Sequence, residues 1–308
     1  LCDCLKSYPY FRRDRFGVLI AASCDHSGRD SIMNTSTVQP GFQTIPRDRQ
    51  IVLDVIRWAR SVPSFAVECT VELTELAALR AQCNQRPPSL EHNDTRFNDR
   101  RLSWSAIFLR AFGLAINDCP LLRQSYHSFP RQRLYQTNDI AISLTVSRQV
   151  EGQQKLYFGK MVSPNLKSVS EIQQTLNYYQ FHDAQEAFGQ QCRAASLPRV
   201  FRDWLWWWRL HGNPAKRAKR LGNAGFSTLA GQGMLNRNHP CFLTSSLSYG
   251  PVDQDGKSIV TLQCDHRVLD GVQASEALQC MTGHLKTTVT AELRNLLAQW
   301  QPQQRCSA

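Results

Sequence analysis

The chain has 308 residues, of which 42% are hydrophobic, and a formal charge of +11. That length suits one large domain or two ordinary ones, and no apolar run approaches the roughly 20 residues needed to cross a bilayer as a helix. Eleven cysteines scattered without paired spacing argue against a disulfide scaffold. Only Cys2 and Cys4 stand close, with no Cys or His following at zinc-finger spacing, so reduced thiols in a cytoplasmic protein, with no metal, are expected. The first residues lack the basic-then-apolar order of a secretory signal. The positive charge suits anionic ligands such as phosphorylated cofactors, nucleic acid or an anionic membrane surface, and serves solubility equally well.

Residues 1–45 mix polar and small residues without sustained periodicity and are expected to form a partly disordered arm. Helical spacing follows over 47–60, and Val62-Pro63 ends it. Residues 64–73 alternate, with Phe65, Val67, Cys69, Val71 and Leu73 on one side, and predict a strand. A helix is expected over 74–84, a polar loop over 85–99 and a strongly apolar helix over 102–117. Turn signals occupy 125–134. Strands are expected over 140–146 and 156–162, joined by a hairpin tip at 149–154. One long helix is expected over 168–191.

The segment 197–220 is unusual. Trp204, Trp206, Trp207 and Trp208 sit among Arg199, Arg202 and Arg209, and Lys216-Arg-Ala-Lys-Arg220 follows. Trp with Lys and Arg is the composition of a helix at a membrane surface. It is also that of aromatic residues packed on the protein's own core with a solvated basic face. Nucleic acid is not expected, because no recognised binding module accompanies the run. Beyond it, Gly225 to Gly233 reads as a short strand and a Gly-rich turn. Strands follow over 241–249 and 258–264, joined by a turn at 251–256. The order of elements is mixed α/β, without a Gly-rich phosphate loop.

The last strand ends in Asp265-His266-Arg267-Val268-Leu269-Asp270-Gly271, before an amphipathic helix over 272–285. An imidazole can take a proton at neutral pH, so a His at a strand end is a candidate general base. A His-x-x-x-Asp pair alone arises by chance in any long chain; the seven-residue string is more specific. It resembles the active-site motif of the dihydrolipoyl acyltransferases, the core components of 2-oxo acid dehydrogenase complexes. Phe226-Ser-Thr-Leu-Ala-Gly231 resembles a second motif of that family, one residue shorter between Phe and Gly. Asn238-His-Pro240 resembles its Asn-x-Pro turn. The first half fits in order, so the resemblance spans residues 47–295.

The resemblance implies a chloramphenicol acetyltransferase-like α/β sandwich, with a mixed sheet and flanking helices, that assembles as a homotrimer with active sites between subunits. It spans a catalytic domain over 46–296, with 197–220 as an insertion and 297–308 as a tail. It implies His266 as the general base toward a thiol or hydroxyl that attacks a thioester. It implies a hydroxyl on the oxyanion, Thr228 when the motifs are aligned on Gly231, or Ser227 after a one-residue slip. Asp270 would be structural, paired with an arginine such as Arg57 or Arg60. Gly271 would allow close packing at the helix start. Gly231, Arg267 and Gly271 would border substrate. No lipoyl-bearing segment or swinging linker is read in the chain. The expectation is therefore a stand-alone acyltransferase using coenzyme A thioester as substrate, with no lipoyl group of its own. Two rivals are a non-catalytic assembly subunit of the same fold and a membrane-peripheral protein that docks through 197–220.

Overall fold

The computed structural model describes residues 41–42, 44–85, 101–150 and 152–305. The expected arm up to residue 40, and most of the polar loop expected over 85–99, lie outside the described residues. From Thr44 onward the chain forms one compact unit.

Helix α1 (Arg47–Ala59) leads into strand β1 (Ser64–Glu72) and helix α2 (Thr74–Asn84). Helix α3 (Trp104–Asp118) follows, started by Ser103, whose hydroxyl accepts from the Ala106 amide. Two short strands, β2 (Gln124–His127) and β3 (Arg133–Gln136), pair where turn signals alone are legible. The hairpin β4 (Ala141–Val150) and β5 (Gln153–Val162) runs in full register.

The long helix expected over 168–191 is two helices, α4 (Val169–Phe181) and α5 (Ala184–Ala195). The Asp183 carboxylate accepts from the amides of Gln185 and Glu186. It thereby caps a new helix rather than continuing the old one. The Trp-rich segment also divides, into α6 (Arg199–His211) and α7 (Pro214–Leu221). Asn213 caps α7 and Pro214 occupies its first turn, where the missing amide costs nothing. Strands β6 (Ala224–Phe226), β7 (Ser245–Tyr249) and β8 (Lys257–Asp265) follow. The chain then enters α8 (Gly271–His284), a π-helical turn (Leu285–Val289) and α9 (Thr290–Arg305). The segment expected as a tail from 297 is thus helical as far as Arg305.

Six strands form one sheet in the order β1-β8-β7-β6-β4-β5. The pairs β7/β6 and β6/β4 are parallel and the rest antiparallel, so the sheet is mixed, as expected. One face carries the main core. The buried Ile142, Leu144, Met161, Leu247 and Leu262 meet α3, whose Ile107, Phe108, Phe112 and Ile116 are withdrawn from water. Each such side chain contributes about 1.5–3 kcal/mol. Helix α3 lies so close to the loop after β5 that a Cβ on Gly113 would fall 2.8 Å from Pro164. A smaller cluster joins Ile51 and Val55 of α1, Ala194 and Ala195 of α5, and Trp206 and Leu210 of α6. It packs with Phe158, which on a pleated strand points away from Met161 and its face of the sheet.

Candidate active site

Strand β8 delivers His266. Its flanking residue Asp265 is the last in register, its amide bonded to the Thr244 carbonyl at 2.9 Å. The chain then turns back, the amides of Val268 and Leu269 both reaching the Asp265 carbonyl. Val268 and Leu269 are buried and anchor the turn, while His266 stays exposed. Three contacts hold the imidazole. Its backbone amide donates to the Pro63 carbonyl at 2.8 Å, and its ring lies 4.7 Å from that of Phe65 at 49°. Its Nδ1 is 3.1 Å from the Leu269 carbonyl oxygen. A carbonyl only accepts, so Nδ1 carries the proton and the Nε2 lone pair is left outward.

Behind the turn lies a buttress that sequence reasoning missed. The buried Asp265 carboxylate grips the Arg267 guanidinium with two bonds of 2.9 and 2.7 Å. That guanidinium sits 4.3 Å over the Tyr126 ring. Arg217, from the basic run of α7, donates to the Tyr126 carbonyl at 2.8 Å. Burial first, and then Arg267, pull the Arg217 guanidinium down to about 10. Only the two-residue spacing of Asp265 and Arg267 hinted at this arrangement.

Asp270 has no arginine partner among the described residues. Its carboxylate accepts from the Gln273 amide at 2.9 Å, and the Gln273 side chain accepts in return from the Asp270 amide. This capping box starts α8. Arg57, one expected partner, instead pairs with Asp203 of α6 and lies 4.0 Å from Asp54. A Cβ on Gly231 or Gly271 would meet nothing within 4 Å, so close packing inside the chain explains neither glycine.

The two hydroxyl candidates differ. Thr228 donates to the Tyr249 carbonyl at 2.8 Å and accepts from the Ala230 amide, so its proton is engaged. Ser227 is buried, its amide bonded to the Leu247 carbonyl, and its hydroxyl has no partner among the described residues. Register decides their relation to His266. Strands β6 and β7 are parallel, and β8 is antiparallel to both. His266 follows a residue bonded to Thr244, whereas Thr228 is bonded to Tyr249. Those positions, Tyr249 at the end of β7 and Thr244 just before its start, lie five residues apart, roughly 16 Å at 3.3 Å per residue. One sheet carries both groups, but at opposite ends, and within one chain they do not meet.

A cavity of about 930 Å³ opens on the sheet face opposite the main core. Its floor includes Ser143, Phe158, Gly225 and Ser246, and its walls come from α1, α5 and α6. His239 borders it, with Nε2 2.6 Å from the Ser246 hydroxyl, and burial pushes its imidazole down to about 4. Lys160, Arg193, Arg209 and Arg220 also line it, against the single carboxylate of Glu186, so the cavity is cationic.

The insertion is fastened by a buried ion pair. Asp54 of α1 is fully buried, and Arg202 reaches it at 2.9 Å. The Trp206 indole also donates to Asp54, at 3.2 Å. Trp206 is therefore inward, whereas Val200, Phe201, Trp204, Trp207 and Trp208 are exposed. No helix among the described residues is long and apolar enough to cross a membrane.

Comparison with known proteins matches the first part of the chain in sequence and most of it in fold. Residues 44–187 match the family model described as 2-oxoacid dehydrogenases acyltransferase (catalytic domain). No curated protein matches. Among solved structures, a probable dihydrolipoamide acetyltransferase from Listeria monocytogenes is similar, with TM-score 0.56 and 16% identity. That likeness covers 81% of this chain and 95% of the other. The truncated catalytic core of the 2-oxoacid dehydrogenase multienzyme complex from Thermoplasma acidophilum has TM-score 0.56 and 14% identity, covering 80% and 99%. The cubic core of the pyruvate dehydrogenase multienzyme complex has TM-score 0.53 and 16% identity, covering 82% and 94%. At these identities the likeness establishes the fold.

Proposed function

We infer that the chain, which matches an acyltransferase catalytic-domain model over residues 44–187 and shares the fold of such domains, is an enzyme that moves an acyl group from a thioester to a thiol or hydroxyl, with His266 as general base. The observation that carries this reading is the pinned Nδ1 of His266. It leaves Nε2 basic and outward at the end of a buttressed turn. In that role Nε2 takes the proton of the acceptor. The acceptor attacks the thioester carbonyl, and the collapsing intermediate expels the donor thiolate, which recovers the proton from the imidazolium. Ser227 is the better donor to the oxyanion, because the Thr228 proton is already engaged. The donor we favour is a coenzyme A thioester, whose phosphates suit the charge of +11.

The separation of His266 from Ser227 and Thr228 along β7 supports an active site completed by a second copy. His266 of one chain would face Ser227 of the next, most simply in a homotrimer. A similar fold builds the cubic core of a multienzyme complex. Open space beside Gly231 and Gly271 leaves room for substrate there. Thiol release from acetyl-, propionyl- and longer acyl-coenzyme A, in wild type and His266→Ala, tests the reading. A fall on the order of 10²–10⁴-fold with the fold retained is expected; undiminished turnover would sink it. His266→Ala and Ser227→Ala chains refolded together should regain activity that neither has alone. If mixing restores nothing, the shared site is wrong.

The outward face of α6 supports a second property of the same protein. Phe201, Trp204 and Trp208 recur at helical spacing on the exposed side, and Lys216, Lys219 and Arg220 of α7 are nearby and cationic. Aromatic residues with cations suit an anionic bilayer surface. Co-sedimentation with phosphatidylglycerol vesicles, lost in Trp204→Ser/Trp208→Ser and in neutral vesicles, is the expected result. Binding indifferent to those changes would remove the membrane role.

A further inference from the structure

Helices α3 and α8 pack against each other, and where they do so three donor side chains converge, with a fourth, Cys119, beside them. Asp118 ends α3 and Cys119 follows it. Cys280 and His284 lie four residues apart on α8, one above the other on the same helix face. The His284 Nε2 is 2.9 Å from the Asp118 Oδ2. The ligand atoms of Asp118, Cys280 and His284 all lie within 4.8 Å of one another. The Cys119 thiol lies beside that of Cys280.

Outer contacts already orient these groups. The His284 Nδ1 faces the Thr288 hydroxyl at 3.3 Å, which directs Nε2 into the cluster. The Asn117 amide donates to the Asp118 Oδ1 at 3.0 Å, which leaves Oδ2 for the cluster. Such outer partners are what hold metal-binding imidazoles and carboxylates in place. The chain enters the π-helical turn directly after His284, with Leu285 and Val289 fully buried. That local widening is a device often found at functional sites.

We propose that Asp118, Cys280 and His284, with Cys119 as the fourth donor, form a binding site for a divalent transition-metal ion of the zinc type. Two sulfurs, one imidazole and one carboxylate make a borderline-soft donor set, which excludes magnesium and calcium and suits a tetrahedral ion. Bonds of about 2.0–2.3 Å put tetrahedral ligand atoms roughly 3.3–3.8 Å apart, and the ligand atoms of Asp118, Cys280 and His284 already lie within 4.8 Å of one another. A hydrogen-bonded His–Asp pair accounts for two of the groups but not for both thiols beside it. Asp118 and Glu276 add negative charge around Cys119, a field that favours a cation. The ion would tie the end of α3 to the helix that starts beside His266.

The test is titration of the reduced full-length chain with Co²⁺. Binding of about one equivalent is expected, with thiolate-to-cobalt charge-transfer absorption and the strong visible bands of a tetrahedral site, all displaced by Zn²⁺. Cys280→Ser and His284→Gln should each abolish these bands. Cys119→Ser should remove about half of the charge-transfer intensity, and Cys83→Ser, a buried thiol elsewhere in the core, should change nothing. A wild-type chain without the charge-transfer band overturns the proposal. So does a band that persists in Cys280→Ser/His284→Gln. The wild-type spectrum decides even where a variant fails to fold, and it is independent of acyl transfer.

Discussion

At the scale of single residues, the turn after β8 fixes both the tautomer and the direction of His266. Its neighbour Arg267 is held between Asp265 and the Tyr126 ring. The two hydroxyls can be separated by experiment. Ser227→Ala should lower kcat by about 10²–10³, as removal of an oxyanion donor does. Thr228→Val should act mainly on stability, because its hydroxyl ties two backbone groups. Comparison of kcat with melting temperature across the pair checks this, and a larger catalytic loss from Thr228→Val would reverse the assignment. Alternation along a strand flips with a one-residue slip. The motif alone therefore left Thr228 and Ser227 open, and the bond to Tyr249 distinguishes them.

At the scale of elements, α6 is an amphipathic helix whose inward face is polar at its centre. Asp54, Arg202 and Trp206 form a satisfied buried network joining α6 to α1. Removing one partner leaves the other charge buried and unpaired. Asp54→Ala should therefore cost about 3–5 kcal/mol, whereas Trp204→Ser on the outer face should leave denaturant unfolding nearly unchanged. Equal effects of the two substitutions would contradict the partition of the Trp residues. On the opposite face of the sheet, Arg110 performs a similar task. It bonds Glu292 of α9 and the carbonyls of Pro164 and Asn165, while Glu292 accepts from the Val169 amide at the start of α4.

At the scale of the whole molecule, acid should loosen the fold through histidines held neutral. Burial is the first cause that pushes both His127 and His239 down to about 4. Unfolded, each titrates near 6.5, so between these values the unfolded chain binds more protons. Their stabilisation is complete above about pH 6.5 and is lost as pH falls toward about 4, at up to about 1.4 kcal/mol per pH unit for each. Denaturant unfolding across that range checks the slope, which should shrink in His127→Gln and His239→Gln. A slope unchanged in both variants would assign the acid sensitivity elsewhere.

The sequence by itself determined the order of most elements and singled out His266 as the candidate base. Periodicity is a local property, and alternating strands such as 64–72 or the apolar helix over 104–118 carry it in their own residues. The string Asp265–Gly271 was legible because a tight turn and a helix cap need particular residues at fixed spacing. Tertiary structure alone decided the rest. The break at Asp183 depends on a side chain capping the helix ahead of it. Whether a Trp in 204–208 faces core or solvent depends on Asp54, which lies some 150 positions away. Register, which no single strand encodes, sets His266 and Thr228 at opposite ends of the sheet. Asp118 and His284 meet only because α3 and α8 pack together, a contact that spacing along the chain does not reveal.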